Sequence, residues 1–308
     1  VVRNANTNNA PGRPADFILD GTVATSGGTV QFGDAQTSGS PVFDYDILTN
    51  AALWNISVSS ATATLRPHDP DSFLRLQGNL INDGTVDATQ TRNGAPATSA
   101  TVVFQGSGSN DQSVFGNGST TLQNLTMNRG TGSGIVEILQ NLEVVGILDL
   151  REGSNPNSQI IELPLTTANL IISNCAPSAI ADAGTTSAPY RYIRTDNNGG
   201  QLIRTICPNG VYVFPVGSFD SGQDNYTPAT FTSGPTGTEG TVGVRVSRGD
   251  GAQGGHEFIQ QNASDYLQRY WGVDNVTTTI PGQWRFEYID GPANITGSEN
   301  NFTRAGRW

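Results

Sequence analysis

Short runs of β-favouring residues, each closed by Gly, Asn, Asp or Ser, recur from Thr29 to about Asn174. Leu76-Gln77-Gly78-Asn79-Leu80-Ile81-Asn82-Asp83-Gly84-Thr85-Val86-Asp87 reads as strand, Gly turn, strand, Asn-Asp-Gly turn, strand. Leu142-Glu143-Val144-Val145-Gly146-Ile147-Leu148-Asp149-Leu150-Arg151-Glu152-Gly153 repeats that logic imperfectly. Runs this short cannot bury a face alone, so they must stack on one another as a solenoid. Gly and Asn suit the corners because they tolerate the left-handed backbone. Leu74, Leu76 and Leu80 alternate with Arg75, Gln77 and Asn79, the period of a half-buried strand.

Composition closes off the alternatives. Gly (37), Pro (16), Thr (34), Ser (24) and Asn (27) make up nearly half of the 308 residues. None of these is a good helix-interior residue, which excludes a helix-rich fold. Runs such as Ala100-Thr101-Val102-Val103-Phe104 and Gln159-Ile160-Ile161-Glu162-Leu163 supply enough Val, Ile and Phe for a core, which argues against a wholly disordered chain.

The expected fold is all-β: a β-helix-like solenoid over residues 29–174, a transition segment over 175–208 and an antiparallel β-sandwich over 209–308. The change of texture carries the second boundary. Val211-Tyr212-Val213-Phe214-Pro215-Val216, Tyr266-Leu267-Gln268-Arg269-Tyr270-Trp271 and Gln283-Trp284-Arg285-Phe286 are longer or more aromatic strands than those before them. Residues 1–28 are polar and Asn-rich, with Pro11 and Pro14. They read as an extended arm outside the core, in which Val1, Val2, Phe17, Ile18 and Leu19 are apolar and β-permissive.

All 16 basic residues are Arg, and 27 acidic residues bring the net charge to -11. An acidic surface repels phosphate backbones and anionic lipid, so neither nucleic acid nor membrane insertion is expected. No apolar stretch approaches the roughly 18 residues of a membrane span. Cys175 and Cys207 are spaced too widely for a CxxC motif. Two unrelated thiols remain an alternative, but the extracellular look of the composition favours a disulfide.

Candidate sites are few. Asp44/Asp46, Asp69/Asp71 and Asp220/Asp224 could offer oxygens to Ca2+, against the alternative of turn-capping Asp; Asp220 and Asp224 lie in the loop richest in oxygen donors. His68 and His256 sit beside Gly, Pro or Asp and read as exposed loop histidines. Neither a zinc site nor a Ser-His-Asp triad is supported. Arg66, Arg75 and Arg92 read as solvent-facing. Trp271, Trp284 and Tyr288 could be stacking platforms for sugars or simply sandwich core.

Val103-Phe104-Gln105-Gly106-Ser107-Gly108, Gln112-Ser113-Val114, Leu122-Gln123-Asn124-Leu125-Thr126-Met127-Asn128, Leu142-Glu143-Val144 and Leu148-Asp149-Leu150 together resemble the repeat of large secreted surface proteins of Bacteroidota. Val213-Phe214-Pro215-Val216-Gly217-Ser218, Tyr226-Thr227-Pro228-Ala229 and Arg269-Tyr270-Trp271 are similar to a module that often follows it. The resemblance covers roughly residues 73–290. It implies an adhesin-like, non-enzymatic protein exported by the type IX system to the cell surface or beyond. The expected partners are further copies of the chain, other surface proteins or glycans, with no cofactor beyond the Ca2+ considered above. An extended arm at one end and open sheet edges elsewhere suggest a filament assembled by strand addition. A carbohydrate-binding module is the alternative, and a β-helical polysaccharide lyase or hydrolase the more distant one.

Overall fold

In a computed structural model, the β-rich runs become strands and their Gly/Asn closures become corners. The structure describes residues 1–2, 14–19, 27–47, 51–106, 110–130, 134–151, 157–184, 190–195, 199–220, 222–248, 266–267, 269–288 and 295–296. The chain is all-β, with three long sheets built largely of parallel strands and further antiparallel pairing toward the C-terminus.

Consecutive strands go to different sheets. Gln112–Phe115, Ser119–Leu122 and Asn124–Met127 lie in a nine-, a ten- and a five-stranded sheet respectively. The next pass places Val136–Ile138, Leu142–Val144 and Leu148–Asp149 beside them in the same order. Each such pass is a rung, and the path is consistent with a solenoid.

The register fixes the core. Phe43 pairs with Leu65, Leu65 with Val86, Val86 with Thr120, Thr120 with Leu142, Leu142 with Leu170, Leu170 with Leu202, and Leu202 with Val244. Every member of this column is buried. A one-residue slip would turn the whole column outward, so burial and register enforce each other. Thr120 is its polar member, and its hydroxyl accepts from Asn82 Nδ2 at 2.9 Å and Gln140 Nε2 at 2.8 Å.

Corners stack through side chains. Asn141 Oδ1 accepts the Asn169 N–H at 2.9 Å, Asn169 Oδ1 accepts the Gln201 N–H at 3.0 Å, and Gln201 Nε2 donates to Asp274 at 2.7 Å. The two Asn amides each satisfy a backbone donor that the ladder leaves open at the bend, and Gln201 carries the chain of bonds on to a carboxylate. Room also matters there. A Cβ on Gly118 would run into the Gly84 carbonyl, and one on Gly200 into the Ala168 carbonyl. Close approach between rungs, rather than a left-handed backbone, demands glycine at those two positions.

The N-terminal segment differs from its sequence reading. Val2 forms a parallel bridge to Phe32, donating to the Gln31 carbonyl at 2.7 Å and accepting from Gly33 at 2.8 Å. Phe17–Leu19 pairs in parallel with Val42–Ile47 as the first strand of the ten-stranded sheet. Val2, Phe17 and Leu19 pack on the core, while Ile18 is 45% exposed. These residues therefore belong to a first rung of the chain's own stack. The cause is the end of the core: Phe32 is fully buried, and Phe17 covers it edge-on at 6.0 Å.

Parallel pairing also runs past residue 174, through Leu170–Ile172 to Leu202–Ile206 and through Arg191–Arg194 to Val216–Asp220. The antiparallel strands Gly240–Arg248 and Arg269–Asp274 extend the ten-stranded sheet, and Gln223–Tyr226 extends the nine-stranded one. The five-stranded sheet stops earlier, at Ile180–Ala181. In the following rung, Val211–Phe214 pairs instead with Ala229–Ser233, which pairs with Gly282–Phe286. The third sheet is thus interrupted while the other two continue.

Candidate functional site

The interruption is where unusual chemistry gathers. Cys175 and Cys207 are bonded to each other across it. They follow Leu170–Ile172 and Leu202–Ile206, two strands paired in adjacent rungs, so the bond ties together the rungs between which the third sheet ends. Tyr212 adds a polar tie: its hydroxyl accepts the Cys207 N–H and donates to the Cys175 carbonyl, both at 2.9 Å.

Arg204 lies beneath, fully buried. Its Nη1 donates to the Val213 carbonyl at 2.7 Å, and its Nη2 to the carbonyls of Pro177 at 3.1 Å and Ala176 at 3.2 Å. The guanidinium also stands 5.2 Å from the Tyr212 ring centre. It therefore joins the edge of Val211–Phe214 to the turn leading into Ile180–Ala181, where a missing strand would have sat. Burial pulls its pKa down to about 10.

Beside Arg204 the break opens into a cleft of 520 Å³, lined among others by Ile180, Gly184, Val213, Pro228, Thr230 and Glu287. Tyr226 also borders it, and burial pushes that hydroxyl up to about 12.

The other candidates are placed as follows. Asp224 Oδ1 accepts from Arg194 Nη2 at 2.8 Å and from the Tyr192 hydroxyl at 2.5 Å. An oxygen held by a guanidinium is a poor offer to Ca2+. Asp220 faces Gln223 in the register of the same hairpin. Trp271, half-buried, donates Nε1 to the Thr227 carbonyl at 2.9 Å. Trp284, also half-buried, stacks on Phe286 at 5.6 Å and reaches Phe231 at 4.9 Å. Tyr288 is half-buried two residues beyond that stack.

Two sequence readings are corrected. His68 is no exposed loop residue: its Nδ1 lies 2.7 Å from Asp44 Oδ2, and Asp44 is fully buried. Arg92 is not solvent-facing either. Its Nη1 sits 2.8 Å from Asp16 and 3.7 Å from Asp44, with 8% of the side chain exposed. Asp16 and Asp44 also exchange bonds with each other's backbone N–H. The physical reason is the first rung: Asp16 precedes Phe17–Leu19, and this ionic group locks that strand in place. Asp46, nearby, has its carboxyl raised by burial and then by Asp69, with His68 opposing. His256 lies outside the described residues.

Among the described residues one group of three ligand-type side chains converges, Cys175, Cys207 and Glu239. Its sulfurs are bonded to each other, so it is not a metal-binding set. Also among these residues, no helix is long and apolar enough to cross a membrane. Sequence reasoning missed Arg204 and the cleft, because neither carries a local motif. Against known proteins, the chain matches no family model, no curated protein and no solved structure.

Proposed function

We propose that the chain is a non-enzymatic structural or adhesive protein of the cell surface or extracellular space, a β-helix-like solenoid continued by a β-sandwich. The observation that carries this reading is the in-register column from Phe43 to Val244, a rod-like core repeated rung by rung. Such a stack supplies length and two open ends, and calls for no reactive centre. The disulfide supports an oxidising compartment. Resemblance to Bacteroidota surface repeats supports export to the surface by the type IX route.

Assembly into a filament is the finer part of the proposal. Because Phe17–Leu19 lies on its own sheet, strand addition to a neighbour would be an exchange, in which the first rung leaves one copy and completes the next. Negative-stain microscopy of native material, with and without residues 1–19, tests it. Filaments that shorten or vanish on deletion are expected; filaments unchanged in length would refute exchange, and globular monomers from native material would refute the filament.

A further inference from the structure

Cys175, Cys207 and Glu239 form one row across three neighbouring strands. Ile172 pairs with Arg204 in parallel, which carries Cys175 to a place beside Cys207. Ile206 pairs with Gly240 in the antiparallel direction, which carries Glu239 to the other side of Cys207. One ligand atom from each lies within 4.8 Å of the others. The row is held by more than the S–S bond. Tyr212 ties the two cysteine backbones together, and Ser233 Oγ donates to the Cys207 carbonyl at 2.8 Å. The Glu239 main chain is pinned on both sides: the Thr238 N–H donates to Thr279 Oγ1 at 2.8 Å, and the Thr241 N–H to Thr277 Oγ1 at 2.7 Å. Hydrogen bonding does not account for one contact of the oxidised chain. Glu239 Oε2 rests 3.3 Å from Cys207 Sγ, yet a disulfide sulfur has no proton to donate.

We propose that, once the disulfide is reduced, Cys175, Cys207 and Glu239 together bind a single Zn2+. Joined to each other, the two sulfurs are not offered to a metal. A small thiol reductant breaks the S–S bond: two of its molecules give up two electrons and two protons and leave joined as their own disulfide. Zn2+ then takes the place of the two thiol protons. In a tetrahedral site, Zn–S bonds of about 2.3 Å and a Zn–O bond of about 2.1 Å put sulfur and oxygen about 3.6 Å apart. The 3.3 Å between Cys207 Sγ and Glu239 Oε2 is already close to that spacing. Two thiolates select Zn2+ over Ca2+ or Mg2+, which prefer oxygen. Glu239 is exposed and both cysteines are half-buried, so the ion is reached from solvent and water supplies the fourth ligand. Oxidation by a disulfide reverses the exchange: the electron pair leaves the sulfurs, the S–S bond closes and the ion is released, while the donor takes two protons from water and leaves as two thiols. The junction where the third sheet ends is thus closed by a metal before oxidation and by a covalent bond after it. This goes beyond the proposed function and does not depend on it.

The test uses the full chain, reduced with a phosphine that does not compete for the metal, and Co2+ as an optical stand-in displaced by Zn2+. One ion per chain is expected, with a thiolate-to-cobalt charge-transfer band and the intense d–d bands of a tetrahedral site. Glu239→Gln should weaken binding at least about ten-fold, since even outer-shell partners of a metal matter that much. The same variant should leave the melting of the oxidised chain unchanged. Cys175→Ser and Cys207→Ser should each lose most of the charge-transfer band. Circular dichroism follows the fold. If reduction alone unfolds the chain, Zn2+ should restore its β signal; a reduced chain that stays unfolded with Zn2+ overturns the proposal. An octahedral spectrum, or affinity unchanged by Glu239→Gln, also overturns it. So does equal affinity in the urea-unfolded reduced chain, which would leave two free thiols rather than a folded row as the site. Binding of equal strength to the oxidised chain would overturn the role of the thiolates.

Discussion

Arg204→Met separates two large opposing terms. The guanidinium makes three hydrogen bonds to carbonyls. Bonds to a charged group contribute about 1.5–3 kcal/mol each, so losing them costs about 4.5–9 kcal/mol. Against this, burial lowers the pKa from 12.5 to about 10. At about 1.4 kcal/mol per pH unit, removing the buried charge returns on the order of 3 kcal/mol. Two of the bonds are longer than 3 Å and belong at the low end, so the expected net loss is about 2 kcal/mol. Arg204→Lys should be worse than Met, because it keeps the buried charge and loses the planar fork that reaches three acceptors. Urea unfolding without reductant reads both. A Met variant as stable as the parent would refute the reasoning: burial of the cation would then outweigh its carbonyl bonds.

Two further outcomes are expected. Replacing Cys175 and Cys207 together by Ser should cost about 3–4 kcal/mol in the same unfolding experiment, the loop-closure value for a separation of 32 residues; a loss below 1 kcal/mol would mean that Arg204 and Tyr212 hold the junction alone. Asp46→Asn should stabilise the fold by a few tenths of a kcal/mol at pH 7, because a raised carboxyl pKa marks an ionised form the fold disfavours. That gain is full above the folded pKa and fades as pH falls toward and below the ordinary 3.8, so thermal melts of variant and parent should differ at pH 7 and converge at pH 3.

The strands were legible because their signal is local. Alternation at Leu74, Leu76 and Leu80 survives as the burial of all three. The disulfide was legible from compartment logic and now has a place. Other features depended on register, which no short window contains. Phe17 reads as part of a polar tail until Phe32 is seen needing a cover. His68 and Asp44 are 24 positions apart, one rung, and meet only because their strands pair. Gly84 reads as a corner residue chosen for its dihedral freedom; a Cβ there would meet the carbonyls of Ala63 and Ser60 at 2.5 Å, which gives a different reason. The cleft is the extreme case, since it exists where expected pairing stops.

That stopping point sets how the rod would carry tension. Inter-strand hydrogen bonds run along the stacking axis, so a pull on the two ends loads the sheets side by side and the rungs one after another. A series of links yields at its weakest member. From Phe73–Leu76 to Ile180–Ala181 three sheets share the force; between that rung and the next, two do. A covalent bond crosses that same gap, from Cys175 to Cys207. The oxidised chain therefore carries a covalent link across the section where the third sheet is lost, and reduction would leave that section to its two remaining sheets.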